Sequence, residues 1–166
     1  RRDIFMFHVE NYKGTQIENY ELVQKQLKAL IEGEHNFIAN LSNASALLNI
    51  FFTDINWVGF YLYEKETNQL VLGPFQGLPA CIRIPLGRGV CGTSAIKRET
   101  IVVDNVHEFP GHIACSSLSN SEIVIPIIKN DKVVAVIDLD SNLYDNYDSN
   151  AAKVLEEVAV VLSDLF

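Results

Sequence analysis

Two strand-like runs, Ile123–Ile128 and Lys132–Ile137, flank the short polar insert Lys129-Asn130-Asp131. Their β-branched residues suit a pleated surface, and Asn-Asp between such runs is a tight hairpin signal. This feature constrains the fold most, because it commits the middle of the chain to antiparallel pairing. A second pair fits the same pattern: Trp57–Tyr63 and Gln69–Leu72 meet across a polar turn at Thr67 and Asn68. Cys81–Leu86 and Thr100–Val103 read as shorter strands, and a long loop, Asp104–Ser121, leads into the central hairpin.

Helical periodicity occupies the two ends. Leu22, Val23, Leu27, Leu30 and Ile31 form a stripe over Glu18–Glu32, with Gly33 placed to end it. Phe37, Ile38, Leu41, Ala44, Leu48 and Phe51 are expected on one side of a helix from about His35 to Phe52. Gly87-Arg88-Gly89 precedes a short helix over Val90–Lys97. Asp148 or Ser149 can cap a last helix, whose stripe is Val154, Leu155, Val158, Val161, Leu162 and Leu165. The order predicts an α+β domain, an antiparallel sheet of about six strands with helices packed on it. With no repeat and no linker, one domain is expected over residues 6–166. Arg1–Phe5, ahead of the only methionine, Met6, are set aside as extraneous to it.

Composition narrows the function. The formal charge of −8 and the lack of a basic stripe argue against a nucleic-acid surface. The longest apolar runs, such as Val133–Ile137, are far too short to span a bilayer, and the N-terminus lacks the apolar core of a signal peptide. Three cysteines in 166 residues are an odd number in a chain too large to need staples. A reducing, cytoplasmic setting is therefore expected, with the thiols used for chemistry.

Those thiols are Cys81, Cys91 and Cys115. Cys91 sits at the expected start of a helix, where unpaired N–H groups favour a thiolate, although a buried cysteine can equally be an apolar filler. Cys115 lies in the polar, Gly/Pro-marked loop beside His112. With His112 the three could bind zinc, or they could supply a nucleophile and resolving thiols; their spacing does not choose. His112 is expected mainly to make local hydrogen bonds in its loop.

The acidic residues add a second theme. Period-two spacing puts Asp138 and Asp140 on one face of the sheet, and the hairpin lets Glu122 approach the same place. Three carboxylates with no balancing base would repel, which implies a cationic partner; the alternative is solvated charges at strand ends. Trp57 and Tyr61 share a strand face and can wall an apolar pocket or simply fill the core.

Several longer segments carry a resemblance. Leu41-Ser-Asn-Ala-Ser-Ala-Leu47, Asp54-Ile-Asn-Trp-Val-Gly-Phe-Tyr61, Leu72-Gly-Pro-Phe-Gln-Gly77, Gly87-Arg-Gly-Val-Cys-Gly-Thr93, Pro110-Gly-His-Ile-Ala-Cys115 and Ser121-Glu-Ile-Val124 resemble the free methionine-(R)-sulfoxide reductases, in family order. The resemblance implies a GAF-domain fold and reduction of free L-methionine (R)-sulfoxide, with a non-catalytic GAF sensor as the rival reading. It implies that Cys115 attacks and that Cys91 and Cys81 are resolving thiols; Glu122 is the first candidate to protonate the departing oxygen, because like-charged neighbours raise a carboxyl pKa. Glu122, Asp138 and Asp140 would then bind the substrate, with Trp57 and Tyr61 as pocket aromatics. No bound cofactor or metal is expected; a thioredoxin-type dithiol would recycle the enzyme, and a homodimer is the expected assembly. Ser116 departs from the aspartate expected after the nucleophile in many relatives.

Overall fold

The computed structural model describes residues 7, 8 and 11–166, so the expected domain start at Met6 lies outside the described residues. Among them, six strands form one antiparallel sheet: β1 (Ile55–Glu64), β2 (Gln69–Gly77), β3 (Arg83–Pro85), β4 (Ile101–Val103), β5 (Ser121–Lys129) and β6 (Lys132–Ser141), in the order β3-β2-β1-β6-β5-β4. The β5–β6 hairpin at the centre turns on Asn130 and Asp131, both with positive φ (48° and 63°), as the Asn-Asp signal requires.

The two faces of the sheet do different work. Val58 and Phe60 of β1, Ile123, Ile125 and Ile127 of β5, and Ala135, Ile137 and Leu139 of β6 are buried on one face. Against them pack α1 (Gln16–Ile31), α2 (Phe37–Phe51) and α4 (Ser149–Ser163). Thr15 caps α1 in a reciprocal box with Glu18, Asn36 caps α2 and Asp148 caps α4. The opposite face carries Trp57 and Tyr61, Val124, and Val136, and is covered by the short helix α3 (Gly89–Lys97) with Val90, Cys91 and Ala95. The functional side chains sit in this second layer.

Three expectations needed revision. β2 does not stop at Leu72 but runs on through Gly73-Pro74 to Gly77, because a register shift opposite Gly59 and Tyr61 absorbs the proline. Ile38, placed on the apolar side of α2, is 67% exposed, while Leu47 is buried in its stead. The third strand begins only at Arg83, leaving Cys81 in the preceding loop, free to meet a partner elsewhere.

Two glycines shape the second layer. Gly77 has φ of +133°, and a Cβ there would lie 2.5 Å from Trp57 Cδ1, so its absence lets the indole lie close against β2. A Cβ on Gly92 would come within 2.4 Å of the Pro85 carbonyl oxygen, so glycine lets α3 press against the end of β3. That approach holds Cys91 tight to the sheet. No helix among the described residues is long and apolar enough to cross a membrane.

Candidate functional site

Pairing across three central strands brings the acids together. Glu122 of β5 lies opposite Asp140 of β6, Val124 lies opposite Asp138, and on the other side of β6 Trp57 and Gly59 of β1 face Asp140 and Asp138. Alternation along each strand then presents Glu122, Asp138, Asp140, Trp57 and Tyr61 on the α3 side of the sheet. All five line one cavity, together with Cys91, His112, Cys115 and Ser119. The acids are not solvated strand ends: Glu122 is 6% exposed and Asp138 5%.

Burial decides their chemistry. Desolvation is the main cause lifting Glu122, Asp138 and Asp140 well above the usual carboxylate range, and their mutual repulsion adds to it. A carboxylate oxygen of Glu122 and one of Asp138 lie within 4.8 Å of one another, so ionising both is disfavoured and the pair tends to keep a proton. One Asp138 oxygen, Oδ1, is buried without any hydrogen-bond partner. A buried site with this much negative capacity and an unused acceptor is built for a cationic group.

Raised carboxyl pKa values carry a stability cost with a definite sign. The folded protein holds protons that the unfolded chain releases near pH 4, so stability falls as pH rises from about 4 through the raised values. The ligand-free protein is expected to melt at a higher temperature near pH 5 than near pH 8, other titrations being equal. Asp138→Asn is expected to raise stability at pH 8 by about 1–2 kcal/mol and to flatten that pH dependence, while weakening substrate binding. Paired thermal melts at the two pH values check this; an Asn variant less stable than wild type at pH 8 would count against the repulsion.

The three thiols differ in bonding state. Cys115 is disulfide-bonded to Cys81, with Cα atoms 5.5 Å apart, and the bridge ties the loop before β5 to the loop before β3. Cys91 is free and buried. Its Sγ lies 4.0 Å from Glu122 Oε1, and burial, then the nearby Asp138 and Glu122, push its thiol well up. The helix start that favoured a thiolate at Cys91 is overridden by desolvation and three carboxyl groups. With Cys81 and Cys115 bonded to each other, the three thiols and His112 do not form a zinc ligand set. A different trio, Cys91, Glu122 and Asp138, has ligand atoms within 4.8 Å of one another.

His112 does more than its loop position suggested. Its Nε2 lies 3.5 Å from Glu122 Oε2, and burial lowers its pKa, so at neutral pH an uncharged imidazole faces the acid. Trp57 stacks on Tyr61 (5.9 Å between centroids) and on Phe75 (5.2 Å), and its Nε1 donates to the Leu78 carbonyl. The Tyr61 hydroxyl donates to the Cys81 carbonyl at 2.9 Å, so the pocket wall is bonded to the segment that carries the bridge. Arg88, Asn56 and Ser119 also line the cavity and went unmarked as site residues by the sequence. Arg88 sits in the Gly87-Arg88-Gly89 interruption, the one local signal that a loop there faces something other than core.

Similarity to known proteins is extensive. The family model for the GAF domain matches residues 44–165. The free methionine-R-sulfoxide reductase of Escherichia coli (strain K12) is 46% identical over 145 residues, 87% of this chain and 87% of that protein. The protein of the same name from Saccharomyces cerevisiae is 42% identical over 166 residues, covering 94% of this chain and 92% of its own. An X-ray structure of free methionine-R-sulfoxide reductase from Neisseria meningitidis in complex with its substrate superposes with a TM-score of 0.91, at 41% identity, covering 96% of each chain.

Proposed function

The chain belongs to the free methionine-(R)-sulfoxide reductases, a family built on the GAF domain, and from that membership we propose that its cavity reduces free L-methionine (R)-sulfoxide to L-methionine. The observation that carries this reading is the meeting of a Cys115–Cys81 disulfide and three buried carboxyl groups at one cavity. A free amino acid differs from a residue within a chain by its α-ammonium, and buried carboxyls recognise that cation. Trp57 and Tyr61 offer apolar surface to the methyl and thioether carbons.

The chemistry follows the geometry. The Cys115 thiolate attacks the sulfoxide sulfur, and Glu122 delivers the proton that it shares with Asp138 to the departing oxygen. That oxygen passes to Cys115 as a sulfenic acid; the substrate sulfur gains two electrons and leaves as the thioether of methionine, while Cys115 loses two. The Cys81 thiol then attacks the sulfenic sulfur, releasing water and forming the disulfide. Cys91, free and held neutral beside the acids, serves as a positioning residue rather than the resolving thiol. An external dithiol of thioredoxin type reduces the bridge, and no bound cofactor or metal is required. A cytoplasmic, homodimeric protein fits this reading, since the bridge must be reducible in its surroundings.

The test is turnover. Dithiothreitol-dependent loss of free L-methionine (R)-sulfoxide is expected, with little or none for the S epimer or for a peptide-blocked derivative. No turnover of the R epimer would sink the enzyme reading and leave a non-catalytic GAF sensor.

A further inference from the structure

The register between β1 and β6 slips at one point. Ile55 pairs with Ser141 and Trp57 with Asp140, so Asn56 is an extra residue, a β-bulge beside the acid cluster. A bulge re-aims the side chain it carries, and Asn56 lines the cavity alongside Asp140.

One hydrogen bond orients its amide. Asn56 Nδ2 donates to Ser119 Oγ at 3.2 Å. That leaves Asn56 Oδ1 on the other side of the amide. That oxygen is buried and has no partner. A buried amide oxygen left open beside a ligand cavity is an acceptor waiting for the ligand.

We propose that Asn56 Oδ1 accepts a hydrogen bond from the α-ammonium of the substrate, making Asn56 a specificity-determining residue that counts N–H groups on the amino nitrogen. The inference rests on the functional reading above. An ammonium has three N–H groups to place, and the cavity already holds three mutually repelling carboxyls. A neutral acceptor completes the set without adding a fourth negative charge. It also distinguishes a primary ammonium from a substituted one, because an N-alkyl group would occupy the position of the hydrogen it accepts.

Steady-state kinetics with free L-methionine (R)-sulfoxide and its N-methyl derivative test the assignment. Wild type is expected to prefer the primary amine. Asn56→Ala is expected to lose about tenfold or more in kcat/KM for the primary amine, mostly through KM, as for loss of one hydrogen bond to a charged group. The N-methyl derivative is expected to change by less than about twofold or to improve, so the preference collapses. Asn56→Ser keeps a small polar group beside Ser119 but no acceptor at the Oδ1 position, and is expected to lose the preference in the same way, which guards against an Ala variant that folds poorly. Equal falls for both substrates, an unchanged KM for the primary amine, or a Ser variant that keeps the preference would each overturn the inference alone. Wild type that fails to turn over the primary amine defeats the functional reading, and this inference with it.

Discussion

Cys115→Ser is expected to abolish turnover, with a loss on the order of 10⁴-fold or more in kcat. A serine hydroxyl is far less acidic and nucleophilic than a thiol, and it cannot accept the sulfoxide oxygen reversibly as a thiolate does. Cys81→Ser should behave differently. One equivalent of substrate should still yield one equivalent of methionine, because the attacking sulfur is intact, but recycling by a dithiol protein should fall by about 10²-fold or more as the sulfenic acid waits without its partner. Cys91→Ser should keep both steps, since Cys91 is free of the bridge. Mass spectrometry after one equivalent of substrate without reductant separates the three: unmodified protein, a sulfenic acid at Cys115, and a Cys81–Cys115 disulfide. Stoichiometric methionine from Cys115→Ser, with none from Cys91→Ser, would reverse the assignment.

Glu122→Gln is the second large effect. The amide keeps the size of the acid but cannot supply a proton to the departing oxygen, and a loss of about 10²–10⁴-fold in kcat is expected. The pH profile makes the prediction specific. Burial and Asp140 hold the Glu122 pKa well above the ordinary carboxyl range, so wild type should retain the needed proton at mildly acidic pH and lose it as pH rises. Deprotonation of Cys115 drives the opposite, ascending limb, giving a bell. In Glu122→Gln the ascending limb should persist while the descending limb disappears. A variant that keeps both limbs would move the proton donor elsewhere, with Asp138 the next group in line.

Much of this site was legible in the chain because strand periodicity is local. Asp138 and Asp140 lie two positions apart, so any extended backbone puts them on one face. The Asn130-Asp131 turn brings β5 beside them, and a register shift between Ile127 and Ile128, which the turn does not announce, sets Glu122 opposite Asp140. The same periodicity put Trp57 and Tyr61 on one strand face, and the structure stacks them against each other beside the acids.

What escaped the sequence depended on irregularity or on distance. The Asn56 bulge is invisible to a period-two reading, which starts the strand at Trp57 and leaves Asn56 outside it. The Gly73-Pro74 pair ended β2 on paper, although a neighbouring register shift accommodates it. Cys91 looked activated because a helix start is a local cue, whereas its burial against three acids is a tertiary fact. The Cys81–Cys115 pairing spans 34 residues, and a spacing of that length says nothing about which loops meet. His112 likewise reaches Glu122 only because its loop folds back over the sheet.

The bridge beside the carboxyls has a kinetic meaning. With the bridge closed, the Cys115 sulfur is bonded to Cys81 and has no thiolate to offer a sulfoxide. The oxidised protein is therefore idle toward its own substrate until a dithiol has visited and left. Electron donor and electron acceptor take turns at one sulfur, and neither competes with a ternary complex. The two half-reactions alternate as a ping-pong cycle, timed by whether the loops carrying Cys81 and Cys115 are tied or free.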